Sequence, residues 1–448
     1  MQRKLLLGAA AVALLICGYA GLKAYAKKKT AALKPNYTPK EYISLANLDR
    51  NKPGSLEFPN SGLRLEYTED SWSAQPALPG PLQQAEVHAL FRSLAGLQAE
   101  RVIDENPGDL RIYGLDNPAG RALLQTAEGA SAEFLAGNLN PSQTGYYVLR
   151  AGDPKVYLVP AYYAAGIFAT AFKVRERALT SSFSLEDVKE FRLESDKTRI
   201  RIQAKPEDQD LPFLPPFCTH VMTEPYTGVF GVNSEAFEKI LAEFQNLGIL
   251  EFLDSTDKNR YGLDRPLQVS IETINQKTDL LLGKRENQKV YAQRRGEPEI
   301  FAIPDLPSLS EATAFALVDK FARIVNIDRV DFLSIAGPLG TLTGEIRRDE
   351  EKTAYFLNSQ ETEEKKFKNW YQKVIGILAD AEIPRETQAP GPPETILTYQ
   401  LNNPPETSGT LYLIPYNRDF YALSAEGQAP EFLISKNQIK NIYSAPEE

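Results

Sequence analysis

The chain has few of the residues that build covalent cross-links and metal sites. Its 448 residues include only two cysteines and two histidines. Cys17 lies in an apolar N-terminal run, which leaves Cys218 alone in the rest of the chain and excludes an intrachain disulfide framework. His88 and His220 are too few for a histidine-based metal site. The sequence therefore predicts no metal, no cofactor and no catalytic residue.

The chain also lacks the basic surface that nucleic acid requires. The formal net charge is −9, and residues 1–29 contain no acid, so the remainder is more acidic still. The basic residues of this segment are Arg3, Lys4, Lys23, Lys27, Lys28 and Lys29. Because proteins bind phosphate backbones through lysine and arginine, we expect no nucleic-acid partner.

The one long hydrophobic run stands at the N-terminus. Leu5–Leu22 carries no charge and is long enough to cross a bilayer. We predict an uncleaved signal-anchor helix over residues 5–26 that binds the lipid bilayer of the inner membrane. Two alternatives remain open: a secretory peptide cleaved after Ala24-Tyr25-Ala26, and a lipoprotein signal at Cys17.

Basic residues flank both ends of this run, so its orientation is ambiguous. Slightly more positive charge follows the run, which by the positive-inside rule alone would keep the body in the cytoplasm. Arg3 and Lys4 in a short N-terminus instead have the form of an export signal. We predict a single-pass protein with an extracytoplasmic, periplasmic body.

The chain repeats itself over a long period. Tyr113-Gly114-Leu115-Asp116-Asn117-Pro118 returns as Tyr261-Gly262-Leu263-Asp264-Arg265-Pro266. Farther on, the segment Tyr147–Pro160 returns as Tyr291–Pro304, with Tyr, Arg, Gly, an acid and Pro in the same places. A period of this length indicates a duplicated domain-sized unit.

Each unit is predicted to open with a strand pair, continue with an amphipathic helix and end in antiparallel strands. Short closing helices are expected at residues 162–171 and 311–324. Trp72 follows the first strand pair, and Phe356 is its expected counterpart. The apolar helix stripes are Val87, Leu90, Leu94 and Leu97; Phe237, Ile240, Phe244 and Leu247; and Phe367, Tyr371, Ile375 and Leu378.

These patterns predict an α+β chain of tandem repeated modules, each an antiparallel sheet with one or two packed helices, after an N-terminal transmembrane helix. The third copy lacks the turn motif and a full closing helix, so we expect it to be degenerate. The predicted boundaries are 1–29 for the membrane anchor, 30–53 for a linker, 54–183 for module 1, 184–327 for module 2 and 328–448 for module 3.

The repeated turns supply the first candidate site. Its residues are Tyr113, Gly114, Leu115, Asp116 and Pro118, with Tyr261, Gly262, Leu263, Asp264 and Pro266. Asp116 and Asp264 could bind a cation or act in acid–base chemistry. Turn chemistry explains them more simply: glycine supplies positive φ, aspartate bonds its own backbone and proline begins the strand. We interpret the motif as structural.

A polar loop between two strands supplies a possible binding site. Asn138, Asn140, Tyr146 and Tyr147 could cradle a sugar or phosphate, although the loop has no phosphate-binding signature. A long hairpin loop is the simpler interpretation.

Cys218 and His220 stand two positions apart, so their side chains could pair on one face of a strand. A buried thiol beside a surface histidine is the simpler interpretation of these two residues.

The paired Tyr-Gly-Leu-Asp-x-Pro turns, each followed by a Gly-bounded strand and a Tyr-x-x-Arg-x-Gly hairpin, resemble an uncharacterised bacterial family of unknown function. The resemblance covers roughly Leu56 to Ile324 and fades in the third copy. It implies a single-span membrane protein with a large β-rich body. In the family that it resembles, the gene often lies beside genes for gliding-motility-type ABC transporter permeases and their auxiliary subunit.

From this resemblance and the repeated architecture we expect a membrane-anchored, non-enzymatic accessory or scaffold protein of the cell envelope. Its expected partner is an ABC transporter permease or auxiliary subunit. Two alternatives remain: an extracytoplasmic module that binds envelope polysaccharide or peptide, and an enzyme with an unrecognised site.

Overall fold

The computed structural model describes residues 41–206, 214, 217–349, 352–384, 391–402, 408–425 and 428–444. The chain divides into two compact units, residues 1–176 and residues 177–448. The helix predicted over residues 5–26 lies outside the described residues. Among the helices that are described, none combines the length and the apolar character needed to cross a membrane.

The predicted α+β class is wrong, because the chain consists mostly of antiparallel sheet. Strands make up 42% of it and helices 19%, and the strands form four sheets. Two features were misjudged. Each large sheet gains short edge strands that show too little alternation to be recognised. The closing helices expected at 162–171 and 311–324 are instead broken into short pieces. In the first module Ala161–Ala164 continues into a 3-10 helix, Ala165–Phe168, before Ala171–Val174; in the second module the pieces are Pro307–Ser310 and Ala314–Leu317.

The first unit is built on an eight-stranded antiparallel sheet beside a two-stranded ribbon formed by β1 and β5. Across the large sheet the order is β4-β3-β2-β7-β8-β9-β10-β6. The strands are β1 Ile43–Ser44, β2 Pro53–Phe58, β3 Leu63–Thr68, β4 Ser71–Ala74, β5 Gln98–Ala99, β6 Arg101–Asp104, β7 Gly120–Thr126, β8 Ser131–Leu139, β9 Gly145–Arg150 and β10 Val156–Pro160.

The second unit contains two nine-stranded antiparallel sheets. The first has the order β14-β13-β12-β11-β16-β17-β18-β19-β15. Its strands are β11 Val188–Glu194, β12 Arg199–Ala204, β13 His220–Glu224, β14 Phe230–Gly231, β15 Glu251–Phe252, β16 Leu267–Thr273, β17 Lys277–Glu286, β18 Lys289–Arg294 and β19 Ile300–Pro304.

The other sheet of this unit has the order β23-β22-β21-β20-β25-β26-β27-β28-β24. Its strands are β20 Val330–Gly337, β21 Gly340–Arg348, β22 Thr353–Leu357, β23 Gln360–Thr362, β24 Ala381–Glu382, β25 Thr395–Leu401, β26 Ser408–Pro415, β27 Phe420–Ala425 and β28 Phe432–Ser435. We refer to the three large sheets, each with its helices, as the first, second and third modules.

All three modules share one topology. A meander of three or four strands runs outward from the centre of the sheet, a helix crosses its face, and a short strand forms the far edge. A second meander then runs from the centre outward to meet that edge strand. The α-helices are α1 Gln84–Ala95, α2 Ala161–Ala164, α3 Ala171–Val174, α4 Ser234–Glu243, α5 Pro307–Ser310, α6 Ala314–Leu317, α7 Glu364–Ile375 and α8 Lys436–Tyr443.

The third module is complete in topology, although its sequence differs most. It is closed by α8, which has eight residues, whereas the closing helices α2, α3, α5 and α6 have four each. Ser435 caps α8 by accepting a hydrogen bond from the backbone of Asn437. The expected loss of the closing helix is therefore not observed.

The long helix of each module buries an apolar stripe on one face of its sheet. In α1 the buried side chains include Val87, Phe91 and Leu94, each fully enclosed. Their spacing of three or four residues places them on one side of the helix. The Gln84 side chain also exchanges two hydrogen bonds with the backbone of Trp72, at 2.7 and 2.9 Å. These bonds attach the edge strand β4 to the helix.

Within the second unit, aromatic packing joins the second and third modules. Phe432 is 5% exposed, and its ring centroid lies 4.9 Å from that of Tyr226, 5.0 Å from that of Phe230 and 6.1 Å from that of Phe315. At the rim, the backbone N–H and hydroxyl of Thr227 both donate to Glu431, at 2.7 and 2.6 Å.

An extended segment, residues 318–322, bonds to both of these modules and acts as a strap. On one side Val318 pairs with Val232, and the Asp319 N–H donates to the Gly231 carbonyl at 2.7 Å. On the other side the Ala322 N–H donates to the Ile377 carbonyl at 2.9 Å. Backbone bonds on both sides hold the two sheets in one arrangement.

We expect Phe432→Ala to lower the free energy of unfolding of the second unit by about 3–5 kcal/mol, because it empties the aromatic junction. Phe356→Ala is the matched control. This phenylalanine is in the same module but is only half-buried, beneath the Arg347 guanidinium, so its loss should cost less than about 1 kcal/mol. Chemical denaturation measures both, and equal losses would contradict the assignment of the junction to Phe432.

Candidate functional site

The first repeated turn begins with a short 3-10 helix, Leu110–Tyr113. Asp109 caps it by accepting a hydrogen bond from the Arg111 N–H at 2.9 Å. The turn ends at Gly114, whose φ of 68° is left-handed and favours glycine. The Tyr113 hydroxyl donates to Asp104 at 2.9 Å, and this bond raises the pKa of Tyr113.

The turn packs against a glycine of strand β8. A Cβ atom at Gly137 would stand 2.1 Å from the Tyr113 carbonyl oxygen and 2.9 Å from that of Gly114. Only glycine permits this approach of two backbones. The Tyr113 ring also contacts the Tyr147 ring edge-on, with centroids 5.2 Å apart, and Leu115 is 5% exposed.

The second turn repeats this arrangement part by part. Gly262 has a φ of 71°, and a Cβ at Gly283 would stand 2.2 Å from the Tyr261 carbonyl oxygen. That oxygen accepts the Lys284 N–H at 2.7 Å. The Tyr261 and Tyr291 rings lie 4.8 Å apart. The repeated tyrosines and glycines are therefore explained by the attachment of a turn to a strand.

The two repeated aspartates take no part in this attachment. Asp116 and Asp264 are exposed, and neither side chain makes a hydrogen bond to a described residue. The carboxylates that bond the turn backbone are Asp109 and its repeat Asp257, whose oxygen accepts the Asn259 N–H at 3.1 Å. The sequence carried this signal, since both acids precede their turns at the same distance.

The prolines of the motif lie at the sheet margin. The Pro118 carbonyl accepts a hydrogen bond from the Asn60 side chain at 3.1 Å. Pro266 and Asp264 border a shallow depression of about 460 Å³ together with Asp196 and Lys197. Its side chains are of mixed charge, which is typical of a solvated surface.

The two turns differ in their exposed side chains. Ile112 is 66% exposed and Leu139 is 40% exposed, on the two segments that meet at Gly137. The repeat places Arg260 and Arg285 at these positions. Arg260 lies over the Tyr261 ring at 5.5 Å, and Arg285 donates to the Asp305 carboxylate and Ser310 hydroxyl. The first module thus presents apolar groups where the second presents charge.

In the predicted binding loop, the polar groups around Asn140 form hydrogen bonds with one another. Asn140 is 9% exposed; its amide donates to the Ser142 and Thr144 hydroxyls at 2.9 and 3.0 Å, and its oxygen accepts the Thr144 N–H at 2.8 Å. Asn138 is exposed beside Gly114.

The two tyrosines of this loop lie on opposite sheet faces. Tyr146 packs on Phe168, with ring centroids 4.8 Å apart, and Tyr147 packs on Tyr113. The four predicted loop residues therefore do not converge on one ligand.

Cys218 and His220 are both buried, at 8% and 4% exposure, so the expected surface histidine is wrong. The His220 ring packs against Phe237 at 5.7 Å, and Nε2 lies 2.9 Å from the Val188 carbonyl oxygen. A carbonyl only accepts, so Nε2 carries the hydrogen and Nδ1 accepts from the Thr219 hydroxyl at 3.1 Å. Burial lowers the pKa of His220, against a smaller raising effect of the Val188 bond.

The thiol does not contact the imidazole through its sulfur. Cys218 Sγ lies 2.8 Å from the backbone carbonyl oxygen of His220. Burial raises the pKa of Cys218, which favours the uncharged thiol over the nucleophilic thiolate. Over the described ranges, no three or more His, Cys, Asp or Glu side chains cluster as metal ligands.

The described residues also line two other concave regions. A cavity of about 50 Å³ lies at the junction within the second unit, between Phe230, Asp319 and Phe432; it has room for a few water molecules. A depression of about 450 Å³ on the open face of the first sheet is lined by Glu57, Arg64 and other polar residues. It is a shallow, solvated sheet face.

We expect Gly137→Ala and Gly283→Ala each to lower the free energy of unfolding by about 1–3 kcal/mol, because the new methyl group collides with a backbone carbonyl. Gly108→Ala is the control, since its added Cβ meets no atom within 4 Å. Thermal and chemical unfolding measure the three variants. A loss at Gly108 equal to the other two would contradict the packing argument.

We expect the buried His220 to make stability depend on pH. Its native pKa lies below the unfolded value of about 6.5, so below that pH the unfolded chain binds more protons. Its contribution to the free energy of unfolding is complete above about pH 6.5 and is lost as the pH falls from there toward the native pKa. His220→Gln should flatten this slope. Val221→Ala, a packing change on the same strand, should lower stability and keep the slope; denaturation at pH 5.5 and 7.5 compares them.

Comparison with known proteins gives a family for part of the chain. No curated protein and no solved structure matches it. Residues 72–266, less than half of the chain, match a family described as a domain of unknown function, DUF4340. The matched segment runs from Trp72 in β4 to Pro266 at the end of the second turn, so it contains both turns. This confirms the coarser part of the resemblance: residues 72–266 are similar to an uncharacterised family of unknown function.

Proposed function

We propose that this protein is a membrane-attached, non-enzymatic accessory or scaffold protein of the bacterial cell envelope that works with a gliding-motility-like ABC transport system. The apolar run Leu5–Leu22, flanked by lysines, supports attachment to the inner membrane with a periplasmic body. The resemblance of the repeated turns to a family encoded beside such transporters supports the choice of partner.

The observation that carries the proposal is the apolar pair at the first turn. Ile112 and Leu139 are exposed where the second copy of the same framework has arginines. The fold therefore does not require apolar side chains at these positions. Exposed apolar side chains on two segments that meet are a feature of protein–protein contacts. We assign this surface to the membrane protein partner.

The framework suits a scaffold, because it holds its surfaces in place. Within the second unit, the strap of residues 318–322 and the rings around Phe432 fix two sheets to one another. The side chains that would be the most plausible catalytic groups form hydrogen bonds within the fold. Cys218 and His220 bond to backbone carbonyls, and Tyr113 bonds to Asp104. These engagements favour a binding role over an enzymatic one.

We expect the double variant Ile112→Arg/Leu139→Arg to lose the partner. Burying the two side chains at an interface is worth about 1.5–3 kcal/mol each, and 1.4 kcal/mol corresponds to tenfold in affinity. After affinity capture of the tagged full-length protein from mild detergent, mass spectrometry should find transporter subunits with the wild type. Recovery with the variant should be at least about tenfold lower.

Two controls separate partner loss from unfolding. The variant should unfold at the wild-type denaturant concentration, because the second turn holds arginines at both positions. Ile274→Arg, at a 55% exposed site on a hairpin of the second module, should keep the partner. Equal recovery from the wild type and the double variant would overturn the assigned surface. Repeated capture of envelope polysaccharide, or of no membrane protein, would overturn the proposed function.

A further inference from the structure

Three tyrosines cluster where the described chain begins. The Tyr42 and Tyr163 rings meet edge-on with centroids 5.8 Å apart, and the Tyr162 and Tyr163 rings lie 4.0 Å apart. Tyr163 packs against the core of the first module. Tyr162 is 64% exposed, and Ile43, next to Tyr42, is 38% exposed. The Tyr163 ring is thus anchored in the core, the Tyr42 ring is half-buried and the Tyr162 ring faces solvent.

The point at which the chain joins this cluster is fixed. Ile43 pairs with Ala99 in the β1–β5 ribbon. The Leu45 N–H donates to the Leu97 carbonyl at 2.8 Å, and the Leu45 side chain is 2% exposed. Residues 42–45 are therefore held in place beside the Tyr163 ring.

The fold does not require an exposed tyrosine at this position. The closing helices begin at Ala161 in α2 and at Pro307 in α5, so Tyr162 and Ser308 are each the second helical residue. The second module therefore has a small polar side chain at the position of Tyr162. The first module instead has an exposed aromatic side chain there, next to the Tyr163 ring that contacts Tyr42. A tyrosine combines an apolar ring with a polar hydroxyl, which suits the boundary between lipid headgroups and acyl chains.

We propose that Tyr42, Ile43 and Tyr162 form a lipid-facing surface that seats the first module on the headgroup region of the bilayer. The proposal rests on the membrane attachment given under the proposed function. Residues 23–41 can span at most about 65 Å, so the tether keeps the surface near the membrane and weak contacts are sufficient. The chain has a net charge of −9, so ring insertion into zwitterionic lipid, rather than attraction to anionic lipid, supplies the contact.

Tryptophan fluorescence of the full-length protein in phosphatidylcholine vesicles tests this surface. The variant Tyr162→Trp places a probe on it, and Ile274→Trp places a control probe on an exposed hairpin of the second module. The native Trp72 and Trp370 are 3% and 5% exposed, so they give a constant background. Lipids brominated near the headgroup end of the acyl chains should quench the surface probe at least twofold more than the control probe. The emission of the surface probe should also shift to shorter wavelength.

Each outcome supports or overturns the proposal. If the protein floats with the vesicles and the surface probe is not quenched, the lipid-facing surface is overturned and membrane attachment stands. Equal quenching of the surface probe and the control probe overturns the assignment to this cluster. Quenching that appears only after phosphatidylglycerol is added overturns ring insertion as its cause. Protein that does not float with any vesicle overturns both the surface and the membrane attachment in the proposed function.

Discussion

One face of each large sheet has to be covered, and one long amphipathic helix covers it together with the short closing helices. Phe91, Phe237 and Phe367 project from the three long helices and are completely enclosed. Each buried side chain of this size contributes about 1.5–3 kcal/mol. Since the helix crosses the sheet between two meanders, the chain must return to the centre and run outward on the other side. The common strand order of the three modules follows from this requirement.

Residues on the uncovered face of the sheet and in the turns do not pack in the core, so core packing does not restrict their side chains. Open-face positions carry ion pairs, as between Arg201 and Glu190, whose nitrogen and oxygen lie 2.5 Å apart. The glycine pairs at the turns, Gly114 with Gly137 and Gly262 with Gly283, fix the backbone without fixing the neighbouring side chains. The surface is therefore free to diverge at Ile112 and Leu139 while the framework stays the same.

The sequence predicts an element well when its apolar residues recur with a clear periodicity, and poorly when they do not. The stripe of the second helix is found as expected, with Phe237, Ile240, Phe244 and Leu247 all buried. In the first helix Phe91 was missed, and in the third Leu378 is 39% exposed beyond the end of α7. A long amphipathic helix can be recognised because its apolar residues recur on one face over three or four turns. An edge strand of two residues is too short to show any periodicity.

Register errors explain a second kind of miss. Phe356 was expected to match Trp72, yet it lies under Arg347 on the open face. The neighbouring Tyr355 contacts Phe367 in the core at 5.2 Å, as Trp72 contacts Phe91 at 5.9 Å. In a strand, a shift by one residue moves a side chain to the other face. The same alternation separates two residues of the candidate loop, because Tyr146 and Tyr147 are adjacent in the sequence but the strand directs them to opposite faces.

The differences between the copies distinguish residues needed for folding from residues available for function. A residue that both modules keep, such as the glycine facing the turn, is explained by a contact that both modules make. An apolar residue that one module exposes and the other replaces has no such explanation: Ile112 faces solvent where Arg260 stands, and Tyr162 faces solvent where the second closing helix has Ser308. Both differences lie in the first module, which follows the apolar N-terminal run directly in the chain. Under the proposed function, the contacts with membrane and partner would therefore both be made by the first module.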